Sequence, residues 1–217
     1  MGRSSGRESR KETEAAVLAI LDDGLVPLVL GGDHSITYPV LRAMRRRHAH
    51  LSILHLDAHA DLYPEFEGDR YSHASPFARI LDDGLADQVV QVGVRTLNDV
   101  QREVAEQYGV ERVDMAEFVT GKSWRLLNPT YISLDLDVMD PAFAPGVSHP
   151  EPGGMSVRDV IQLLQWTEVP LIGADIVELN PSRDVFDLTA RVAAKLVKEL
   201  VHALRGRSED ASFAESS

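Results

Sequence analysis

Cysteine is absent from this chain of 217 residues. That excludes disulfides, thiolate zinc sites, iron–sulfur clusters and a cysteine nucleophile. Positive charge is scarce: 22 Lys and Arg stand against 34 Asp and Glu, a net charge of −12. An acidic surface repels phosphate backbones and attracts small cations, so no nucleic-acid partner is expected. No apolar run approaches the roughly 18 residues that span a bilayer. Residues 1–10 are polar and lack the apolar segment of a signal peptide. No membrane partner is expected, and the composition fits a cytoplasmic protein. No G-x-S-x-G elbow, P-loop or dinucleotide fingerprint occurs.

What is present describes an ordinary globular chain, 44% hydrophobic and 26% charged. Its length suits one domain. Residues 1–10 read as a disordered lead-in, 11–205 as a single domain and 206–217 as a disordered tail. Short apolar runs alternate with amphipathic stretches. Strands are expected at 26–30, 51–56, 89–92, 110–113, 131–136 and 171–177. Helices are expected at 12–21, 39–47, from Pro76, at 97–108 closed by Gly109, at 157–166 with Ser156 as N-cap, and at 188–204. This alternation predicts an α/β fold, a three-layer doubly wound parallel sheet with helices on both faces. In such sheets the site lies beyond the carboxyl ends of the strands.

Three polar motifs fall there. Gly31-Gly32-Asp33-His34-Ser35 follows the first strand; alone, His34 reads more readily as a hydrogen-bonded structural histidine than as a ligand. Asp57-Ala58-His59-Ala60-Asp61 follows the second. In extended chain Asp57, His59 and Asp61 point to one side, which a merely solvated loop does not explain. Ser133-Leu134-Asp135-Leu136-Asp137 ends another apolar strand. Two buried carboxylates there repel unless a cation lies between them. Asp140, before Pro141, reads as a turn residue. Together these motifs offer two imidazoles, four carboxylates and no sulfur, a set suited to Mn²⁺. Two divalent cations about 3.5–4 Å apart can deprotonate a shared water.

GGDHS, DAHAD and SLDLDVMDPAFAPG, with RYSHASPFARI, EPGGMS and DIVELNP, resemble the signatures of the ureohydrolase family, which includes arginase and agmatinase. The resemblance runs from about Leu30 to Leu200, and the wording is nearest the plant-type arginase branch. It implies two Mn²⁺ per chain, held by His34, Asp57, His59, Asp61, Asp135 and Asp137. It implies that His73 shuttles a proton to the leaving amine and that Glu178 holds the guanidinium. Asp137 shares the proton delivery. The implied reaction is hydrolysis of a small cationic guanidino substrate to urea and an amine. Arginine and agmatine stand level as substrates, with guanidinobutyrate and other guanidino or formimidoyl compounds behind. Residues 62–70 are the expected specificity loop, with Glu65, Glu67 and Asp69 for a cationic tail and Arg70 for a carboxylate.

A homo-oligomer, trimer or hexamer, is also implied. Only 30 residues precede Gly31, where family members carry more, including early strands; an uncovered sheet edge is expected beside the first motif. The rival readings are a non-catalytic metal-binding subunit and a deacetylase-like zinc enzyme. His48, His50, His55, His149 and His202 read as structural or exposed, Trp124 and Trp166 as core, and Arg45-Arg46-Arg47 as a solvated helix end.

Overall fold

The computed structural model describes the backbone of residues 6–214 and the side chains of residues 6–205. Its centre is one parallel sheet of six strands: β1 (Leu28–Leu30), β2 (Ser52–Leu56), β3 (Gln88–Val92), β4 (Glu111–Val113), β5 (Thr130–Asp135) and β6 (Leu171–Val177). They lie in the order β1-β6-β5-β2-β3-β4. Every pairing is parallel. All of β2 and β5 is buried, which explains why these strands read as nearly continuous apolar runs.

Successive strand residues face opposite sides of the sheet. Ile53 and Tyr131 enter one core with α1 (Gly6–Asp22), α2 (Thr37–Arg47), α3 (Pro76–Asp82) and α4 (Asp99–Tyr108). Leu54, Leu56, Ile132 and Leu134 enter the other with α6 (Val157–Trp166) and α7 (Leu188–Ala214). The doubly wound sheet expected from the sequence is the one observed.

Local chemistry sets the helix ends. Asn98 caps α4 by accepting from the Gln101 N–H, and Gly109 ends it at φ +65°. Ser156 and Asp159 form a reciprocal capping box on α6. A similar box, Asp114 with Glu117, starts α5 (Met115–Val119), a helix too short for periodicity to reveal.

Several expectations need correction. α1 begins at Gly6, so residues 6–10 are helical rather than a disordered lead-in; residues 1–5 lie outside the described residues. α7 runs to Ala214 through most of the expected tail, because nothing after Gly206 breaks a helix; residues 215–217 lie outside the description. Trp166 is not core: as the last residue of α6 it is 71% exposed, whereas Trp124 packs partly buried on the core. The arginine run is not merely solvated. Arg46 pairs with Glu14 at 2.8 Å, Arg47 with Asp22, and Arg45 with Asp87 at 2.9 Å. These pairs tie α2 to α1 and to the turn before β3, each adding little at an exposed position.

The expected sheet edge is present at β1. Leu25, Val26 and Leu30 are exposed there, and β1 pairs on one side only among the described residues.

The two faces make a testable contrast. Leu134→Ala, in the fully buried centre, lowers stability by about 2–5 kcal/mol. Trp166→Ala changes it by no more than about 0.5 kcal/mol. Urea unfolding midpoints of the two variants check both.

Candidate metal centre

Four adjacent strands end at one place, and each delivers part of the site. His34 opens a short 3₁₀ turn after β1, with Asp33 as its cap. Asp57 follows β2. Asp135 is the last residue of β5, and Asp137 sits in the 3₁₀ turn Leu136–Val138. Glu178 follows β6. Glu178, at φ +69°, and Asp61, four residues after Asp57 and at φ +51°, have left-handed backbones. Such conformations are unfavourable for residues with side chains and persist where surrounding structure holds them, often at functional sites.

The motif 57–61 is not simply an extended strand whose alternate residues face one point. The turn at Asp61 re-aims its carboxylate, and two nests result. In the first, His34 Nδ1 lies 3.1 Å from Asp57 Oδ2, 3.1 Å from Asp61 Oδ2 and 3.2 Å from Asp135 Oδ2. In the second, His59 Nδ1 lies 3.0 Å from Asp137 Oδ2 and 3.5 Å from Asp57 Oδ1. Asp57 faces both. All six residues expected as ligands are therefore together.

Backbone donors aim the carboxylates. Asp57 Oδ1 accepts from the His59 N–H at 2.6 Å, Asp135 Oδ1 from the Asp137 N–H at 2.8 Å, and Asp137 Oδ1 from the Ala58 N–H at 3.1 Å. Asp135 and Asp137 thereby turn their other oxygens inward. His34 Nδ1 is buried and makes no hydrogen bond. A bare nitrogen facing three carboxylate oxygens fits a cation. Asp57, His59 and Asp137 also converge closely enough to hold one.

His55 is structural, one of the two readings expected for it, and it touches the site: its Nε2 lies 2.7 Å from Asp57 Oδ2, and its Nδ1 accepts from Gln91 Nε2 at 2.9 Å. The Gln91 amide is oriented by a second bond, 2.7 Å to the Ala60 carbonyl. With both ring nitrogens engaged, His55 orients Asp57 rather than serving as a ligand, although it stands close enough to be grouped with one.

Electrostatics reflect this crowding. Burial, and then the neighbouring Asp137 and Asp57, push the Asp135 carboxyl well above its usual range. Burial and Asp57 push Asp137 up to about 7. Burial opposes protonation of His59, but hydrogen bonding to Asp137 and Asp57 outweighs it and lifts His59 to about 11.

The other expected residues line the approach. Glu178 is buried, its Oε1 accepts from the His34 N–H at 2.9 Å, and burial raises its pKa. His73 stacks on His149, with ring centres 5.2 Å apart at 13°, and meets Phe66 edge-on at 5.9 Å. His149 is exposed as expected, yet it belongs to the site through His73 and an edge contact of 6.2 Å with His59. His50 and His202 are exposed and His48 is half-buried.

In residues 62–70, the loop expected to set specificity, Arg70 turns toward Asp82 at 3.7 Å. Glu67 and Asp69 line a cleft of about 440 Å³ beside His73, with Asp33 and Arg10.

Arg95 was not expected. Its guanidinium donates to the carbonyls of Gly93, Asp137, Val138 and Glu151, pinning the turn that carries Asp137. Gly154 leaves room for it: a Cβ there would stand 2.6 Å from Arg95 Nη2. The sequence signal was EPGGMS itself, where a side chain would clash.

Comparison with known proteins agrees with this geometry. A model of the arginase family matches residues 3–203. The chain is 50% identical over 197 residues to mitochondrial arginase 1 of Arabidopsis thaliana, covering 87% of this chain and 58% of that protein. It is 41% identical to the N(1)-aminopropylagmatine ureohydrolase of Thermus thermophilus, covering 81% and 62% respectively. The structure of an arginase from Medicago truncatula superposes with a TM-score of 0.87 at 45% identity, covering 93% of this chain and 66% of that one. The chain thus spans less than two thirds of the length of these relatives.

The protonation pattern gives a measurable consequence. Without metal, folded Asp137 binds a proton that the unfolded chain has lost between the ordinary Asp range and about 7, and folded His59 does so between about 6.5 and about 11. Where the native state binds more protons, stability falls as pH rises. Metal replaces those protons. The increase in melting temperature on adding Mn²⁺ should therefore grow from pH 6 to pH 9 in thermal scans. An increment that stays flat or shrinks would contradict this.

Proposed function

The chain belongs to the arginase family, and on that premise we propose that it is a binuclear manganese hydrolase that releases urea from a guanidino compound. Residues 11–205 make up the bulk of its single catalytic domain, with α1 and α7 reaching beyond them at either end. The observation carrying the proposal is the pair of nests around His34 Nδ1 and His59 Nδ1, joined by Asp57. Their oxygen-rich, sulfur-free donors suit Mn²⁺; His34, Asp61 and Asp135 would hold one ion and His59 and Asp137 the other, with Asp57 within reach of both. Bound there, a cation pair supplies Lewis acidity that lets water attack at neutral pH.

The chain's own residues do the rest. Glu178 Oε1 is held by the His34 N–H, leaving Oε2 to accept from a guanidinium N–H. A guanidinium there offsets the burial that disfavours its charge. His73, fixed by His149 and Phe66, stands at the mouth where a proton must reach the leaving nitrogen. Asp137 Oδ2, facing His59 Nδ1, is the inner proton carrier.

Arginine is the substrate favoured here. The cleft beside His73 offers both signs of charge: Arg10 for an α-carboxylate, and Asp33, Glu67 and Asp69 for an ammonium. A second reading, an amine-tailed substrate such as agmatine, rests on the acidic majority in the same cleft and on the Thermus relative. A cytoplasmic homo-oligomer, trimer or hexamer, completes the proposal. The Arabidopsis relative is mitochondrial by name. No described helix is long and apolar enough to cross a membrane.

Urea release from Mn²⁺-loaded protein, offered arginine, agmatine and guanidinobutyrate in parallel, tests the reading. Turnover is expected with arginine, and Asp137→Asn should lower kcat by at least about 100-fold. No urea from any of the three, in a folded protein carrying Mn²⁺, sinks the proposal.

A further inference from the structure

A buried polar row crosses the sheet beneath the ligands. Gln91 on β3, His55 on β2, Ser133 on β5 and Asp175 on β6 stand side by side in register. All four are fully buried. Polar groups at such depth are unfavourable unless each is hydrogen-bonded, so their partners carry the meaning. The row splits into two pairs. Gln91 and His55 serve Asp57, as described above. Ser133 and Asp175 lead elsewhere, to His34.

Counting protons fixes the direction of that second pair. Asp175 Oδ2 accepts from Thr37 Oγ1 and from the Tyr131 hydroxyl, both at 2.9 Å. Asp175 Oδ1 lies 2.8 Å from Ser133 Oγ and accepts its only proton. Ser133 Oγ then has lone pairs alone to offer His34 Nε2, 2.9 Å away. That nitrogen must carry the ring proton. In the neutral ring, the form that binds a metal, Nδ1 is then the lone pair, and it is the atom facing Asp57, Asp61 and Asp135.

We propose that Ser133 and Asp175 are positioning residues that fix the tautomer and orientation of His34, so that Nδ1 is presented ready to bind a cation. The inference rests on reading His34 as a metal ligand. Histidine ligands generally donate their second N–H to a carboxylate or carbonyl, which raises their basicity. Here a serine hydroxyl relays that contact to a carboxylate one strand further away. Asp175 itself is anchored by three side chains from two elements, Thr37 on α2 and Tyr131 and Ser133 on β5.

The test compares two single-hydroxyl deletions. Ser133→Ala removes the relay but leaves Asp175 two donors. Thr37→Ala removes one donor from Asp175 and leaves the relay intact. Mn²⁺ titration followed by calorimetry and by electron paramagnetic resonance reads the two sites, with metal-free melting temperatures measured alongside. Ser133→Ala is expected to weaken one of the two Mn²⁺ sites roughly 10–100-fold and to leave the other unchanged, while Thr37→Ala leaves both. Should the alanine variant not fold, Ser133→Cys repeats the test with a side chain of similar size and a poor acceptor. Unchanged binding at both sites in the Ser133 variant, or equal weakening in the Thr37 variant, overturns the inference. A wild-type chain that takes up no Mn²⁺ overturns the reading of His34 as a ligand, and this inference with it.

Discussion

Mutual repulsion among buried carboxylates is the constraint on which this structure depends. Asp57, Asp61, Asp135 and Asp137 are all buried and converge on two imidazoles at one end of the sheet. Backbone N–H groups hold one oxygen of each of Asp57, Asp135 and Asp137, which orients the negative charge without neutralising it. Burial and mutual repulsion push Asp135 and Asp137 toward protonation. A divalent cation relieves both effects, and the bare Nδ1 of His34 shows where one would sit.

Parallel pairing makes the convergence possible. Strands β1, β6, β5 and β2 are neighbours, so residues just past their carboxyl ends are neighbours too. The same registry places Gln91, His55, Ser133 and Asp175 in a row below the ligands. The site is thus layered: a polar row within the sheet, the ligands above it, and His73, His149 and Glu178 at the mouth. Arg95 closes one side by bonding to the carbonyls around Asp137, a contact that the missing side chain of Gly154 permits.

Much of this was legible in the sequence because its signals were local. The apolar runs of β2, β5 and β6 marked buried strands, and the acids and histidines directly after them marked the site. His34, Asp57, His59, Asp61, Asp135 and Asp137 all meet as expected. What escaped depended on registry between strands or on the tertiary environment. His55 lacked a partner by spacing, yet it lies beside Gln91 across β2 and β3. The available signal was a polar residue interrupting each apolar run at one depth: His55, Gln91, Ser133 and Asp175. His149 reaches His73 only through loop placement. Trp166 looked apolar enough for the core but falls at the end of α6, where the helix leaves the sheet. The lead-in and tail are polar, a composition that suggests disorder, yet neither segment contains proline to stop a helix, and α1 and α7 extend into them.

The most direct check is anomalous diffraction from crystals grown with Mn²⁺. Two peaks about 3.5–4 Å apart, one against His34 Nδ1 and the other against His59 Nδ1, with the Asp57 carboxylate between them, are expected. A single peak, or a peak coordinated by His55 in place of His34, would contradict the assignment of the two nests.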